Sequence, residues 1–445
     1  MARYPEPGKS KTRLIPALGE AGAASLHGRL VSQTLSMLNR FIVDAACDIE
    51  IRFTGGSEQQ MQSMFGEPYC YRQQRGALLG DRMSDAVEIA FQEGFDRVLV
   101  IGTDCPDLTE QHLADAFSSL VESQVVIGPA NDGGYYLIGQ NSYEPSLFEQ
   151  ISWGTEVVFA QTMERAAMQG LSVTTLPTLS DIDYPEDLIR LRTKTPEYSD
   201  AIVTPGHYWL SVVIPTFNEE QHIARTLGQF TECSGVEVIV SDGGSGDRTC
   251  EIAYEKGVRV IRGRCESGRG RQLNAGAAVA GGDVLMFLHA DTKLPDDFLK
   301  SVRECINLGN RAGAFRLGIE SQDWMYRIIE FGANLRSRWF QLPYGDQAIF
   351  VKADLFYNMS GFQPWPLMED YELCQRLRRL GRICLADTSV KVSPRRWQKL
   401  GILRTTVLNQ AIVLAYKFGK SPESLAAWYR GTAIQKQQSL NINQG

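Results

Sequence analysis

Two apolar runs in this chain, Val236–Ser241 and Val284–Leu288, each close on acid. The first enters Asp242-Gly243-Gly244-Ser245 and the second His289-Ala290-Asp291. A strand that ends in aspartate leaves a carboxylate at the carboxyl edge of a sheet, where open α/β folds bind ligands. Neighbouring glycines let the backbone approach whatever binds there. Two such edges in one segment predict a nucleotide and a divalent metal.

The same rhythm runs through the first half. Ile49–Phe53, Arg97–Ile101 and Val125–Gly128 read as strands, separated by helical stretches at about Gly19–Asn39, from Leu79 to about Phe91, and from about Glu110. Strand and helix in alternation predict a mostly parallel, doubly wound sheet. Arg97–Asp104 and Asp283–Asp291 echo each other, as strands that end in Asp and lead through Pro to a helix. At 445 residues the chain exceeds one ordinary core, so the echo reads as two copies of one fold type.

Composition narrows the partners. A net charge of −7 argues against nucleic acid. Nine cysteines without a C-x-x-C pair indicate neither a zinc site nor a disulfide framework, and suit a reducing cytosol. Met1–Pro7 has no apolar leader, and no uncharged run approaches the ~20 residues of a membrane span. The expected location is cytoplasmic.

Pro5 to Leu14 is a Pro/Gly loop carrying Gly8, Lys9, Lys11 and Arg13, with nothing strand-like before it. It suits a phosphate cradle or a solvated basic terminus. Asp181 and Asp183 alternate on a short extended segment; they either face one ion or start a helix.

The first half resembles the nucleotidyltransferase-like family related to phospholactate and molybdenum-cofactor guanylyltransferases, over about residues 1–195. The matching pieces are Lys11-Thr12-Arg13-Leu14, Leu79-Gly80-Asp81-Arg82-Met83, Asp104-Cys105-Pro106, Asp132-Gly133-Gly134-Tyr135 and Asp181-Ile182-Asp183. The resemblance implies that Lys11, Arg13 and Gly8 hold phosphates and that Asp104 and Asp183 hold Mg²⁺. In that family a buried strand precedes the loop, whereas this chain begins at the loop, so either its start is misassigned or the first strand is missing.

The second half carries Val213-Ile214-Pro215-Thr216-Phe217-Asn218-Glu219, Asp242 to Thr249, His289-Ala290-Asp291, Tyr344-Gly345-Asp346-Gln347 and Met368-Glu369-Asp370. In that order these resemble a family 2 glycosyltransferase of the GT-A fold, and within it the subfamily found in arsenosugar-type biosynthesis. By that resemblance Asp242 binds the nucleotide base, with Pro215, Thr216, Asn218, Glu219, Arg271 and Asn274 around the nucleotide. Asp291 ligates Mg²⁺ or Mn²⁺ on the diphosphate, and Asp370 is the general base with Glu369 beside it. The usual D-x-D is here His289-Ala290-Asp291; its first position is read as packing. Asp346, Gln347, Arg396 and Trp397 are expected to close over donor and acceptor.

The predicted architecture is two tandem GT-A-like (Rossmann-like) α/β domains with mixed, mostly parallel sheets and a C-terminal helical tail. Residues 1–195 form the first domain, 196–209 a linker, 210–400 the second domain and 401–445 the tail. The expected activity is metal-dependent, inverting transfer from a nucleotide-sugar donor to a hydroxyl of a small molecule or lipid. The first half makes or binds the activated donor, or is a non-catalytic module. From Lys391 to Arg430 the chain is basic, and Leu400–Phe418 reads as an apolar helix. That helix could lie on an anionic membrane surface, form a homodimer face, or pack on its own domain.

Overall fold

The computed structural model describes residues 1–45, 47–194, 198, 202, 207–263 and 268–429. They divide into two compact units, residues 1–183 and 184–445. Most of the expected 196–209 linker lies outside the described residues.

In the first unit β1 (Ala2–Arg3), β2 (Glu50–Thr54) and β3 (Cys70–Gln73) form a parallel sheet in the order β1-β2-β3. A first strand is therefore present, which corrects the reading that it is missing. Its two residues pair with Phe53 and Thr54, too short a run to stand out by periodicity. β4 (Val98–Ile101), β5 (Val125–Pro129), β6 (Tyr135–Gln140) and β7 (Val173–Thr175) form a second sheet in the order β4-β6-β5-β7. The Met1 amino group donates to Ile101 O at 2.9 Å, so the two sheets adjoin. Helix Ile15–Asp44 buries Leu26, Leu30, Val31 and Leu35 along one side, the spacing of an amphipathic helix laid on a sheet.

The second unit is built on one eight-stranded sheet in the order β10-β9-β8-β11-β14-β13-β15-β12. Its parallel half is β8 (Leu210–Thr216), β9 (Val236–Asp242), β10 (Arg259–Arg262) and β11 (Val284–Phe287). β12 is Thr292–Lys293, β13 Ala312–Ile319, β14 Phe350–Lys352 and β15 Ile383–Val392. β14 runs antiparallel to both β11 and β13, while β15 runs parallel to β13. Leu210, Val212, Val213 and Ile214 are all buried, because helices cover both faces of this sheet. The mixed α/β, mostly parallel fold agrees with the sequence.

Residues Leu188–Lys194, read from sequence as the end of the first domain, belong to the second unit. Leu188, Ile189 and Leu191 are buried, and Arg192 donates to the carbonyls of Ala278 and Ala280 and to the Tyr357 hydroxyl. Cys305 and Cys384 form a disulfide, whereas the cysteine spacing indicated no disulfide framework. Cys305 faces inward from helix Phe298–Asn307 and Cys384 sits on the strand beneath it. They lie 79 residues apart, so local spacing carried no signal. Helix Ile402–Lys417 packs on its own unit, with the Tyr416 ring against Trp365 and Tyr371.

Candidate active site

The carboxyl ends of β8, β9 and β11 form one edge, and two loops there are sewn together. Asp242 is buried, and its carboxylate accepts from the Gly244 and Ser245 amides at 2.9 Å each, from Thr216 Oγ1 at 3.1 Å, and from the Ser245 hydroxyl. Asn218 takes a left-handed backbone (φ 56°), accepts from Gly246 N and presents its own amide to Ser245 Oγ. Gln272 donates to Thr216 O, and the Glu219 amide donates to Thr249 Oγ1. A preorganised turn with its polar groups engaged results, flanked by Pro215.

At the end of β11 Asp291 meets a partner that the motifs did not single out. Arg395 grips Glu219 with both terminal nitrogens, at 2.8 and 2.6 Å, and its Nε lies 3.1 Å from Asp291 Oδ2. Burial, the largest influence, pushes the Asp291 carboxyl above the usual range, and Glu219 adds to it, against the pull of Arg395 and His222. The hydrogen bond to Glu219 raises Arg395 in turn. Two carboxylates on one cation form the hard-oxygen donor set that suits Mg²⁺ or Mn²⁺, so the residues fit the expected metal.

Met368 adopts a left-handed backbone (φ 71°) at the start of helix Glu369–Leu380. A non-glycine residue held there costs about 1–3 kcal/mol and marks an over-determined site. It turns Glu369 and Asp370 into the site. Asp370 Oδ2 accepts from Gly345 N at 2.6 Å. A Cβ on Gly345 would come to 3.2 Å from both Asp370 Oδ2 and His289 Nε2, so a larger residue there would press those side chains outward by a few tenths of an ångström. His289, read from sequence as a packing residue, thus shares the Gly345 neighbourhood with the candidate base. Glu369 is buried, 3.5 Å from Arg269, and burial above all raises its carboxyl pKa.

Other expected residues work from behind. Asn274 is buried with its amide spent on Phe362 N and O, so it anchors a loop rather than touching a nucleotide. Gln347 is wholly buried; it bonds Ser337, Arg336, Tyr344 N and Phe315 O, which fixes the Gly345–Gln347 turn. Trp397 is buried against Tyr326 and cannot close over a ligand as it stands. The Arg396 side chain lies outside the described residues. Arg271 is half-buried on helix Gly268–Val279, and Asp346 lies in the turn that holds Asp370.

In the first unit Lys11, also left-handed (φ 47°), is buried between Asp104 (3.0 Å) and Asp183 (2.9 Å), and Arg13 reaches Asp183 at 3.0 Å. Burial works to lower the Lys11 pKa, but the two carboxylates hold it above the ordinary lysine range. Gly8 takes φ 77° in the preceding turn. The acids that converge tightly are Asp132, Asp181 and Asp183, with one ligand atom of each within 4.8 Å of the others. Of the expected metal pair, Asp183 belongs to this group, while Asp104 lies across Lys11 from it, both acids being salt-bridged to that lysine.

Residues 211–361 match the family described as glycosyl transferase family 2, and residues 37–155 match one described as an uncharacterized protein conserved in bacteria. A 4,4'-diaponeurosporenoate glycosyltransferase of Staphylococcus haemolyticus is 36% identical over 20% of this chain and 25% of its own. A dolichol-phosphate mannosyltransferase of Pyrococcus furiosus is 32% identical over 29% of this chain and 40% of its own. The chain thus spans well under half the length of these relatives. Among solved structures, a protein provisionally described as a nucleotide-diphospho-sugar transferase from Desulfovibrio desulfuricans is 35% identical, covering 44% of this chain and 85% of that one (TM-score 0.41). A Pyrobaculum calidifontis mannosyltransferase in complex with GDP-Man and Mn²⁺ is 17% identical over 58% and 84% (TM-score 0.39).

Proposed function

We propose that this chain, a glycosyltransferase with a family 2 domain over residues 211–361, moves a sugar from a nucleotide-sugar donor to a hydroxyl acceptor with inversion at the anomeric carbon. The reading is carried by Asp370, held on Gly345 N beside His289, which lies two residues before the Asp291 that shares Arg395 with Glu219. Asp370 takes the acceptor hydroxyl proton as its oxygen attacks the anomeric carbon. The bond from that carbon to the diphosphate oxygen breaks, and the nucleoside diphosphate leaves with the electron pair. The Asp242 turn shapes the nucleotide subsite. Asp291 and Glu219 would hold a divalent metal, which when bound offsets charge on the diphosphate. A lipid-borne acceptor would parallel the relative named as a dolichol-phosphate mannosyltransferase, which is matched over 40% of its length.

The test is turnover of a nucleotide-sugar panel by the full chain and by Asp370→Asn. The variant should lose about a hundredfold or more in kcat while binding the nucleoside diphosphate as wild type does. An unchanged kcat would remove Asp370 from the chemistry.

For residues 1–183 we propose nucleotidyl transfer that activates a donor sugar, supported by the Asp132–Asp181–Asp183 grouping beside Lys11 and Arg13. Pyrophosphate release from a nucleoside triphosphate and a sugar phosphate, lost in Asp183→Asn, is the expected outcome. No release by the wild type with any common nucleotide would favour a non-catalytic module.

A further inference from the structure

Helix Trp324–Phe340 bears an apolar stripe that the catalytic reading does not use. Trp324, Ile328, Phe331, Leu335 and Trp339 recur at steps of four, three, four and four, so they line one face. All five are exposed, the two tryptophans by 69% and 74%. The opposite face is pinned. Tyr326, Ala333 and Ser337 are buried, Asn334 bonds both Leu317 N and O, and Glu330 accepts from Ile319 N. Rolling the stripe inward would break all of these bonds, so the exposure is built in.

The C-terminal end of the stripe is cationic. Arg338 lies on the helix itself, and Arg378 donates to Phe340 O, which brings exposed Arg378, Arg379, Leu380 and Arg382 beside Trp339 and Phe340. Among the described residues none of these four arginines has a carboxylate within ion-pair distance. The acids at the far end are already engaged, Glu320 with Arg225 and Asp323 as the helix cap.

We propose that this face docks on an anionic phospholipid bilayer. Tryptophans, bulky aliphatic side chains and unpaired arginines in one surface match the headgroup–acyl boundary, where apolar contact and negative charge lie together. The stripe ends at Phe340, shortly before the Gly345–Gln347 turn that holds Asp370, so docking would bring the candidate site to the membrane. The assignment rests on this helix and not on the basic tail. It does not depend on glycosyl transfer.

Sedimentation of the full chain with vesicles tests it. Wild type should co-sediment with vesicles containing about one-third phosphatidylglycerol and dissociate as salt rises, while phosphatidylcholine vesicles leave most of it in solution. Phe331→Ser/Trp339→Ser should cut partitioning at least tenfold with an unchanged melting temperature, because both side chains already face solvent. An Arg378→Gln/Arg379→Gln/Arg382→Gln variant should lose the preference for anionic lipid. Wild type that ignores both vesicle types, or a serine variant that binds as well as wild type, would overturn the proposal. So would wild type that ignores vesicles and dimerises through this face, as measured by light scattering.

Discussion

At the residue scale the candidate site trades stability for chemistry. Glu369 is buried beside half-exposed Arg269, and its carboxyl sits above the usual range chiefly through burial. A carboxyl raised on folding keeps its proton longer in the folded state, so stability declines as pH rises through the window from about pH 4 upward. Glu369→Gln should therefore flatten the fall of melting temperature from acid toward neutral pH, measured without ligand. Equal slopes would mean that Glu369 carries no such penalty. Arg395→Met makes a separate prediction. With the guanidinium gone, Glu219 and Asp291 face each other without a cation, so metal-free protein should melt lower and Mn²⁺ should bind more tightly by paramagnetic resonance.

At the element scale, what could be read from sequence follows the range of each interaction. Asp242, Asp291 and Asp370 sit where a strand ends or a helix starts, and such junctions leave a local trace in hydrophobic pattern and glycine content. Arg395 leaves none, since its partner Glu219 is 176 residues away. Asn274, Gln347 and Trp397 stand inside or beside recognisable motifs, yet they turn inward. A motif records that a position is restricted, not whether the restriction is contact with ligand or support of a turn. The support is substantial. Gln347→Ala would take their partner from the Phe315 carbonyl and the Tyr344 amide, and should cost about 2 kcal/mol or more in denaturant unfolding. Trp397→Ala should cost about 3–5 kcal/mol by emptying its place against Tyr326. If either loses activity at full stability, it acts on ligand after all.

For the whole molecule the boundary between units matters in practice. Leu188, Ile189 and Arg192 buttress helix Gly268–Val279, so a fragment beginning at residue 205 would expose apolar surface that a fragment from residue 184 keeps covered. The shorter piece should melt lower by roughly 5 °C or more in a calorimetric comparison. Matching transitions would show that the 184–194 segment is an ornament on the second unit. The first-strand stub at Ala2–Arg3 and the Cys305–Cys384 bridge are also invisible to local pattern, one through brevity and the other through distance.

The Arg395 bridge also bears on how the second unit would take up the divalent ion proposed for it. Because a guanidinium already balances Glu219 and Asp291, loading a divalent cation there would be an exchange and not an addition. Arg395 would have to release both carboxylates to make room, and its guanidinium would then be available to the donor's diphosphate. Metal and nucleotide would then bind as a cooperative pair, each weak alone, and trace metal in the absence of donor would leave the site closed on itself.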